Sequence, residues 1–445
     1  MGNAAASKRR RVTFGTAAAA AGILFAAACQ PPPPSSPPSN TAPPAAMHPS
    51  PPAPPAATAP VQPISCDLAP VADADSSWEA QPLEGDELGA AAFGAATGAA
   101  ATTGLVEITT NVDGEPEFDV VTVEEVGAAL AIEDDPVVSL DVAEPVTTSD
   151  STTDGITTSD PLHPSQWSDN LTPYSPVWQC GNGAGVTVAV IDTGVDGTHP
   201  DLAGRVAPGG SALNGAAVVT TGTGSVDPNG HGTHVAGIAA AGADNGIGIA
   251  GVAPGATILP LRVLGATGSG WSTDVAAGVV WAANNGADVI NLSLGSSGQS
   301  TSMTNAINYA HANGVVVLAA GGNGGPNGST HYPAAGPNTI AVASVTSSGL
   351  VSSFSTRGSY LDVAAPGSSI LSTLSGGGYG YKSGTSMATP FAAGVAALML
   401  GANPQMTPDQ VADRLVTTVT DVGAPGHDTE YGHGLVDPHS AVTGT

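Results

Sequence analysis

A serine, a histidine and an aspartate in this 445-residue chain stand where acyl-transfer chemistry is possible. Ser386 lies in "GTSMATPFAAGVAALML", Gly384 to Leu400, whose small apolar residues read as a buried helix with the serine at its start. A serine there has two sensible tasks: it can cap the helix by accepting a backbone N–H, or it can attack a carbonyl once a base takes its proton. His231, in "NGHGTHVAGIAA" from Asn229 to Ala240, opens a second apolar helix, and imidazole is the side chain whose ordinary pKa suits a base near neutrality. Asp192 ends the run "GVTVAVIDTG", Gly185 to Gly194, where it serves either as an Asx-turn residue or as the carboxylate that orients an imidazole. His231 and His234, three apart, could also share a zinc ion. No Glu or Cys stands at helical spacing with them and "HExxH" is absent, which argues against a metal centre there.

The elements that would position these residues are legible after residue 180. Gly185 to Gly194, Ala256 to Gly265, Ala287 to Gly295, Gly314 to Gly322 and Asn338 to Val345 are β-branched runs bounded by glycine or polar turns. They lack the strict alternation of a half-exposed strand and predict strands buried on both faces of a parallel sheet. Helices are expected between them, at Ser272 to Asn285 with Ser272 or Thr273 as cap, and at Thr407 to Thr418, where "TPDQ" makes a capping box with proline in the first turn. The class is α/β, with helices on both faces of the sheet. Chemistry is then expected in the crevice at the carboxyl ends of the strands.

"VIDTG", "HGTHVAG" and "GTSMATP", in that order, resemble the three signatures of the subtilisin-like serine protease family, and the resemblance runs from about Gln166 to Ala441. It implies a three-layer α/β fold and a serine endopeptidase with Asp192, His231 and Ser386 as catalytic triad. Ala388 stands where the "GxSxG" elbow of the α/β-hydrolases needs glycine, so that other serine-hydrolase design does not apply. By the same resemblance, Asn323 in "VVVLAAGGNGG" is the side-chain donor of the oxyanion hole.

Further roles follow from the resemblance. Gly268, Ser269 and Gly270 on one edge, and Ser293, Leu294 and Gly295 on the other, sandwich an extended peptide as an added strand. His331 in "THYPAAGPN" takes the place near the floor of the primary specificity pocket, the alternative being a surface histidine facing solvent. "GADNGIGIAGVAP", Gly242 to Pro254, is similar to a structural calcium loop. Backbone carbonyls of Ala243, Ile247 and Ile249 and the side chains of Asn245, Asp201 and Gln166 are its implied ligands. A ligand at Gln166 implies a mature domain that begins close to residue 160.

Composition divides the chain unevenly. Of 9 basic residues, Lys8, Arg9, Arg10 and Arg11 precede an apolar stretch from Val12 to Ala28, which reads as a secretory signal over residues 1–28. In "FAAACQPPPP", Cys29 follows three small residues and resembles a lipoprotein cleavage and acylation site. Ala26 stands where such sites have a larger aliphatic residue, so ordinary signal cleavage near Ala28 is the alternative. A proline-rich linker occupies 29–65 and cannot bury a core. Residues 66–160 hold 22 of the 37 acids, and the catalytic part, 161–445, is only mildly acidic with no basic stripe, which excludes nucleic-acid binding. The expected product is an exported monomer, secreted or held at the membrane only through Cys29.

The stretch at about 100–146 has two strand-like runs around an apolar helix candidate and loosely resembles the small pro-domain that assists folding of these proteases and then inhibits them. An acidic disordered spacer is the alternative reading. With Cys29 acylated or removed, Cys66 and Cys180 remain. A bond between them would tether a cleaved pro-segment to the mature domain. The reading preferred on sequence is a buried Cys180 and a free Cys66, because nothing in the sequence brings their α-carbons within ~7 Å. The rival to an active protease is a catalytically silent domain of the same fold used as a surface binding module.

Overall fold

The β-branched runs form strands whose successive side chains enter two separate cores. The computed structural model describes residues 105–110, 116–121, 137–140 and 158–444 apart from 216, 217 and 219–221, all within the unit Pro60–Thr445. The expected signal segment, Cys29, the proline-rich linker, Cys66 and the apolar helix candidate of the pro-region lie outside the described residues.

Three strands come from the acidic region: β1 (Leu105–Thr110) pairs antiparallel with β2 (Pro116–Val121), and β3 (Val137–Leu140) follows. The short helix α1 (Trp167–Leu171) leads to β4 (Thr187–Asp192), β5 (Gly210–Ser211), α2 (His231–Ala240), β6 (Thr257–Arg262) and β7 (Ser269–Trp271). Next come α3 (Ser272–Asn284), β8 (Val289–Leu292), β9 (Leu294–Gly295), α4 (Thr301–Ala312), β10 (Val316–Ala320) and β11 (Ile340–Val345). The chain continues through β12 (Val363–Pro366), the hairpin β13 (Ile370–Leu374) and β14 (Gly378–Lys382), then α5 (Thr385–Ala402), α6 (Pro408–Thr417) and α7 (Pro438–Thr443).

The central sheet has seven strands in the order β12-β11-β10-β8-β4-β6-β5, all parallel. Val188 and Val190 of β4 join one core with α2, α5 and α6, while Ala189 and Ile191 join the other with α3 and α4. Both faces are therefore dry, which is why these strands carry no polar alternation. The chain builds β5 and β6 on one side of β4 and then crosses to β8 on the other. That reversal opens a crevice at the carboxyl ends of β4 and its neighbours.

α5 is apolar enough by length and composition to cross a membrane, yet 89% of it is buried within the protein, where it is the core helix. α6 has the expected capping box between Thr407 and Gln410. At α3 the expected cap is corrected: extended Trp271, not Ser272 or Thr273, takes the N-cap position, because the chain enters the helix directly from β7. Cys180 is also corrected, since it is disulfide-bonded, with a partner outside the described residues.

Candidate active site

Residues from four elements meet at the carboxyl end of the sheet. Asp192 ends β4, His231 begins α2, Ser386 is the second residue of α5, and Asn323 lies in the turn after β10. His231 Nδ1 is 2.9 Å from Asp192 Oδ1 and 3.0 Å from Oδ2, with both residues wholly buried. A carboxylate accepts, so the shared proton belongs on Nδ1 and the opposite nitrogen is left as an acceptor. That Nε2 is buried without a hydrogen-bond partner among the described residues.

Local chemistry holds the pair in register. Gly230, the N-cap of α2, offers no side-chain cap. Asp227 replaces it: one oxygen accepts the N–H groups of Asn229 and Gly230 and the hydroxyl of Thr193, and the other accepts the N–H and hydroxyl of Thr233. Thr193 Oγ1 in turn accepts the Gly232 N–H. A Cβ on Gly232 would fall 2.0 Å from the Gly194 carbonyl, so only glycine lets α2 approach the turn after β4 closely enough for His231 to reach Asp192.

Ser386 does not cap its helix. Gly384 is the N-cap and receives no side-chain bond, while Ser386 Oγ donates to the Ser293 carbonyl at 3.0 Å. Pro390 explains a second bond. It has no N–H to give the Ser386 carbonyl four residues back, and that carbonyl accepts the Ser293 hydroxyl at 2.8 Å instead. Ser293 Oγ also accepts Asn291 Nδ2 at 2.9 Å. The serine's backbone and side chain are thus both stitched to the break between β8 and β9.

Asn323 is oriented from one end. Its Oδ1 accepts the Thr385 N–H at 3.0 Å and the Thr385 hydroxyl at 3.1 Å, which turns Nδ2 the other way. Nδ2 is buried with no hydrogen-bond partner among the described residues. Nearby, burial and the Lys382 charge push the imidazole of His234 down to about 3, so it stays neutral and donates from Nε2 to the Gly380 carbonyl. Burial also lowers the Lys382 ammonium, against the pull of Asp227 and Asp192.

The two expected peptide edges face a common strand. β3 pairs antiparallel with β7 on one side and β9 on the other, making the three-stranded sheet β7-β3-β9. Ser269 and Gly270 lie in β7, Gly268 just ahead of it, Leu294 and Gly295 in β9, and Ser293 at the preceding break. The His331 ring packs against Gly295 and Gly322: a Cβ on the first would lie 2.3 Å from Nε2, and on the second 3.0 Å from Cγ. Backbone bonds between Ser296 and Tyr332 hold that segment beside β9.

A calcium ion needs six to eight oxygens, and the 242–250 loop and its neighbours present several. Asp201 is buried beneath it, with Oδ2 accepting the Ile249 N–H and Oδ1 accepting Asn245 Nδ2. Burial, with Asp160 close by, holds the Asp201 carboxyl above its usual range despite those bonds. Among the described residues no backbone N–H donates to the carbonyls of Ala243, Ile247 or Ile249. Gln166 bonds Ala250 through both ends of its amide. This hard-oxygen set fits calcium, with one departure: Asn245 turns its Oδ1 to the Ile247 N–H, so ligation by that oxygen requires the amide to turn over.

The sequence reading did not single out Thr193, Asp227, Asn291, Thr385 or Pro390. Of these, Asp227 had a signal, since "DPNG" just before a helix is a turn that frees an aspartate to cap. The partners of Asn291 and Thr385 are set by tertiary packing.

Residues 183–434 match the subtilase family, Peptidase_S8. Subtilisin E from Bacillus subtilis (strain 168) is 48% identical over 264 residues, covering 58% of this chain and 66% of that protein. Subtilisin from Bacillus pumilus is 47% identical over 264 residues, covering 58% of this chain and 92% of that one. Thermitase from Thermoactinomyces vulgaris is 45% identical over 265 residues, covering 60% of this chain and 91% of its own.

Asp227→Ala strips the carboxylate from five donors and leaves those that are buried without an acceptor. The variant is expected to lose about 3 kcal/mol of stability, read as a lower urea midpoint with an unchanged slope.

Proposed function

The chain belongs to the subtilase family and is a subtilisin-like serine protease, and from that premise we propose that Asp192, His231 and Ser386 are the catalytic triad of an exported endopeptidase. The observation that carries the reading is the His231–Asp192 contact at 2.9 Å, which leaves Nε2, buried and without a hydrogen-bond partner among the described residues, as an unspent base. For attack, the Ser386 hydroxyl leaves the Ser293 carbonyl and donates to that nitrogen. Oγ then bonds to the substrate carbonyl carbon while its proton passes to His231, and Asp192 stabilises the imidazolium. Asn323 Nδ2 donates to the oxygen as it becomes negative. The C–N bond breaks, the leaving nitrogen takes the proton from His231, and water hydrolyses the ester by the same steps reversed.

A silent binding module has no use for this arrangement. His231 Nε2 and Asn323 Nδ2 are buried polar atoms without hydrogen bonds among the described residues, a cost that a protein bears where a reacting group completes them.

The same reading extends to the rest of the chain. Residues 1–28 direct export, with Cys29 either acylated at the cell envelope or lost with the signal; 29–65 form a stalk; and 66–160 are a pro-region ahead of the catalytic domain 161–445. The pairing of β3 with both peptide edges supports an inhibitory role for the pro-region. Calcium is bound structurally by Asp201, Asn245, Gln166 and the carbonyls of Ala243, Ile247 and Ile249. Cys66 is the partner of Cys180, because export exposes it to an oxidising compartment.

Ser386→Ala is expected to abolish peptide hydrolysis and leave an uncleaved precursor, and adding His231→Ala should cost little more, since the triad acts as a unit. Substantial hydrolysis by the single variant contradicts the assignment. Chelation should lower the melting temperature, because an ion held only by the folded state stabilises it by mass action; an unmoved melting temperature refutes the ligand set. On non-reducing gels the processed protein should retain a pro-fragment that reductant releases. Identical bands in both conditions rule out the Cys66 tether.

A further inference from the structure

The register of β3 reads out which residue of a bound peptide reaches the nucleophile. Val138 and Ser139 stand opposite Gly270 and Ser269, while Ser139 and Leu140 stand opposite Gly295 and Leu294. Because the pairing is antiparallel, each step forward along the peptide is one step back along the β9 edge. A peptide continuing that register by one residue therefore comes level with Ser293, whose carbonyl accepts the Ser386 hydroxyl at 3.0 Å. The peptide bond after that residue is the one Ser386 can attack. In this chain Leu140 is followed by Asp141 and Val142.

The side chain just before the scissile bond shares a strand face with the position two residues earlier, opposite Gly295, and a Cβ on Gly295 would meet the His331 ring on that face. The imidazole fills the space left by the missing Cβ atoms of Gly295 and Gly322, between the β9 edge and the turn that carries Asn323. The ring thus stands between the strand that holds the peptide and the group that holds its carbonyl oxygen. An imidazole in that place gives the substrate a polar ring N–H rather than an apolar wall. A carboxylate gains most from it, as a charge-assisted hydrogen bond, and more still when the ring is protonated. An apolar side chain offers it no acceptor, and a lysine or arginine brings only more donors. A site built around a polar partner rejects side chains that lack the matching group.

We propose that this protease selects an aspartate or glutamate immediately before the scissile bond, that His331 is its specificity-determining residue, and that Asp141–Val142 is the first bond it cuts within its own pro-region. The proposal rests on the serine-protease reading above and names the substrate class of that site.

The full-length protein is tested against a peptide library covering all side chains before the cleaved bond, with products and the mature N-terminus read by mass spectrometry. The wild type should cut after acidic residues with kcat/KM at least about tenfold above that for their amides or for leucine, and its first processed product should begin at Val142. His331→Gly should erase that margin, and His331→Lys, which keeps a donor, should retain it, with melting temperatures reporting that both variants fold. Asp141→Lys, which leaves the catalytic domain untouched, should slow self-processing at this bond by about tenfold or more. Nitrophenyl acetate, which has no side chain at this position, separates the two levels of the argument. If the wild type turns over the acetate and cuts the library without acidic preference, or if His331→Gly keeps the preference, the selectivity proposal is overturned and the protease reading stands. If neither the acetate nor any peptide is turned over, the protease reading falls and the proposal with it.

Discussion

Asp192 is wholly buried, and a carboxyl group out of water must be met by donors on every side. The surroundings of this one residue impose much of the local architecture. The Thr193 N–H and the His231 ring supply the donors. Bringing the ring there requires α2 to press on the turn after β4, which requires Gly232 to lack a side chain. With Gly230 as N-cap, the first turn of α2 has no cap of its own, and Asp227 supplies one from outside the helix. The same carboxylate fixes Thr193, so the turn that ends β4 and the turn that starts α2 are a single hydrogen-bonded unit. The dry sheet below gives that unit its rigidity, since both cores converge on β4.

The serine side of the crevice is organised by a missing bond. A proline inside a helix is ordinarily a defect. In α5 it frees the Ser386 carbonyl for the Ser293 hydroxyl, while the Ser386 hydroxyl returns to the Ser293 carbonyl. The start of α5 is thereby locked to the break between β8 and β9. Thr385 extends the same economy to the other wall, since its hydroxyl accepts the Gly322 N–H and donates to Asn323. Ser386, Asn323 and Ser293 are consequently positioned against one another by consecutive residues of a single buried helix start.

The parallel sheet was legible because burial on both faces leaves a one-dimensional trace: β-branched runs without polar alternation. The α6 capping box was legible for the same kind of reason, being wholly local. Where an outcome depends on distant partners, the sequence had less to offer. Trp271 occupies the N-cap position of α3 because β7, paired with β3, feeds straight into the helix. Ser386 by type alone suited a cap or a nucleophile, and the cap reading is removed by Gly384, which takes the N-cap position, and by Ser293, a residue 93 positions away, which takes the hydroxyl. Cys180 read as a small buried residue, yet it is oxidised, because disulfide formation depends on proximity that no local pattern encodes. The roles of Asn291 and Thr385 were hidden likewise, each resting on partners brought together by the fold.

The central claim is that Ser386 is a nucleophile activated by His231, and covalent trapping tests it most directly. A serine-directed phosphonate reacts with an activated hydroxyl and not with an ordinary one. Incubated with the processed protein and mapped by mass spectrometry, it should leave one adduct, on the peptide that contains Ser386, and His231→Ala should remove it. An unmodified Ser386, or an adduct that forms equally well without His231, would contradict the account.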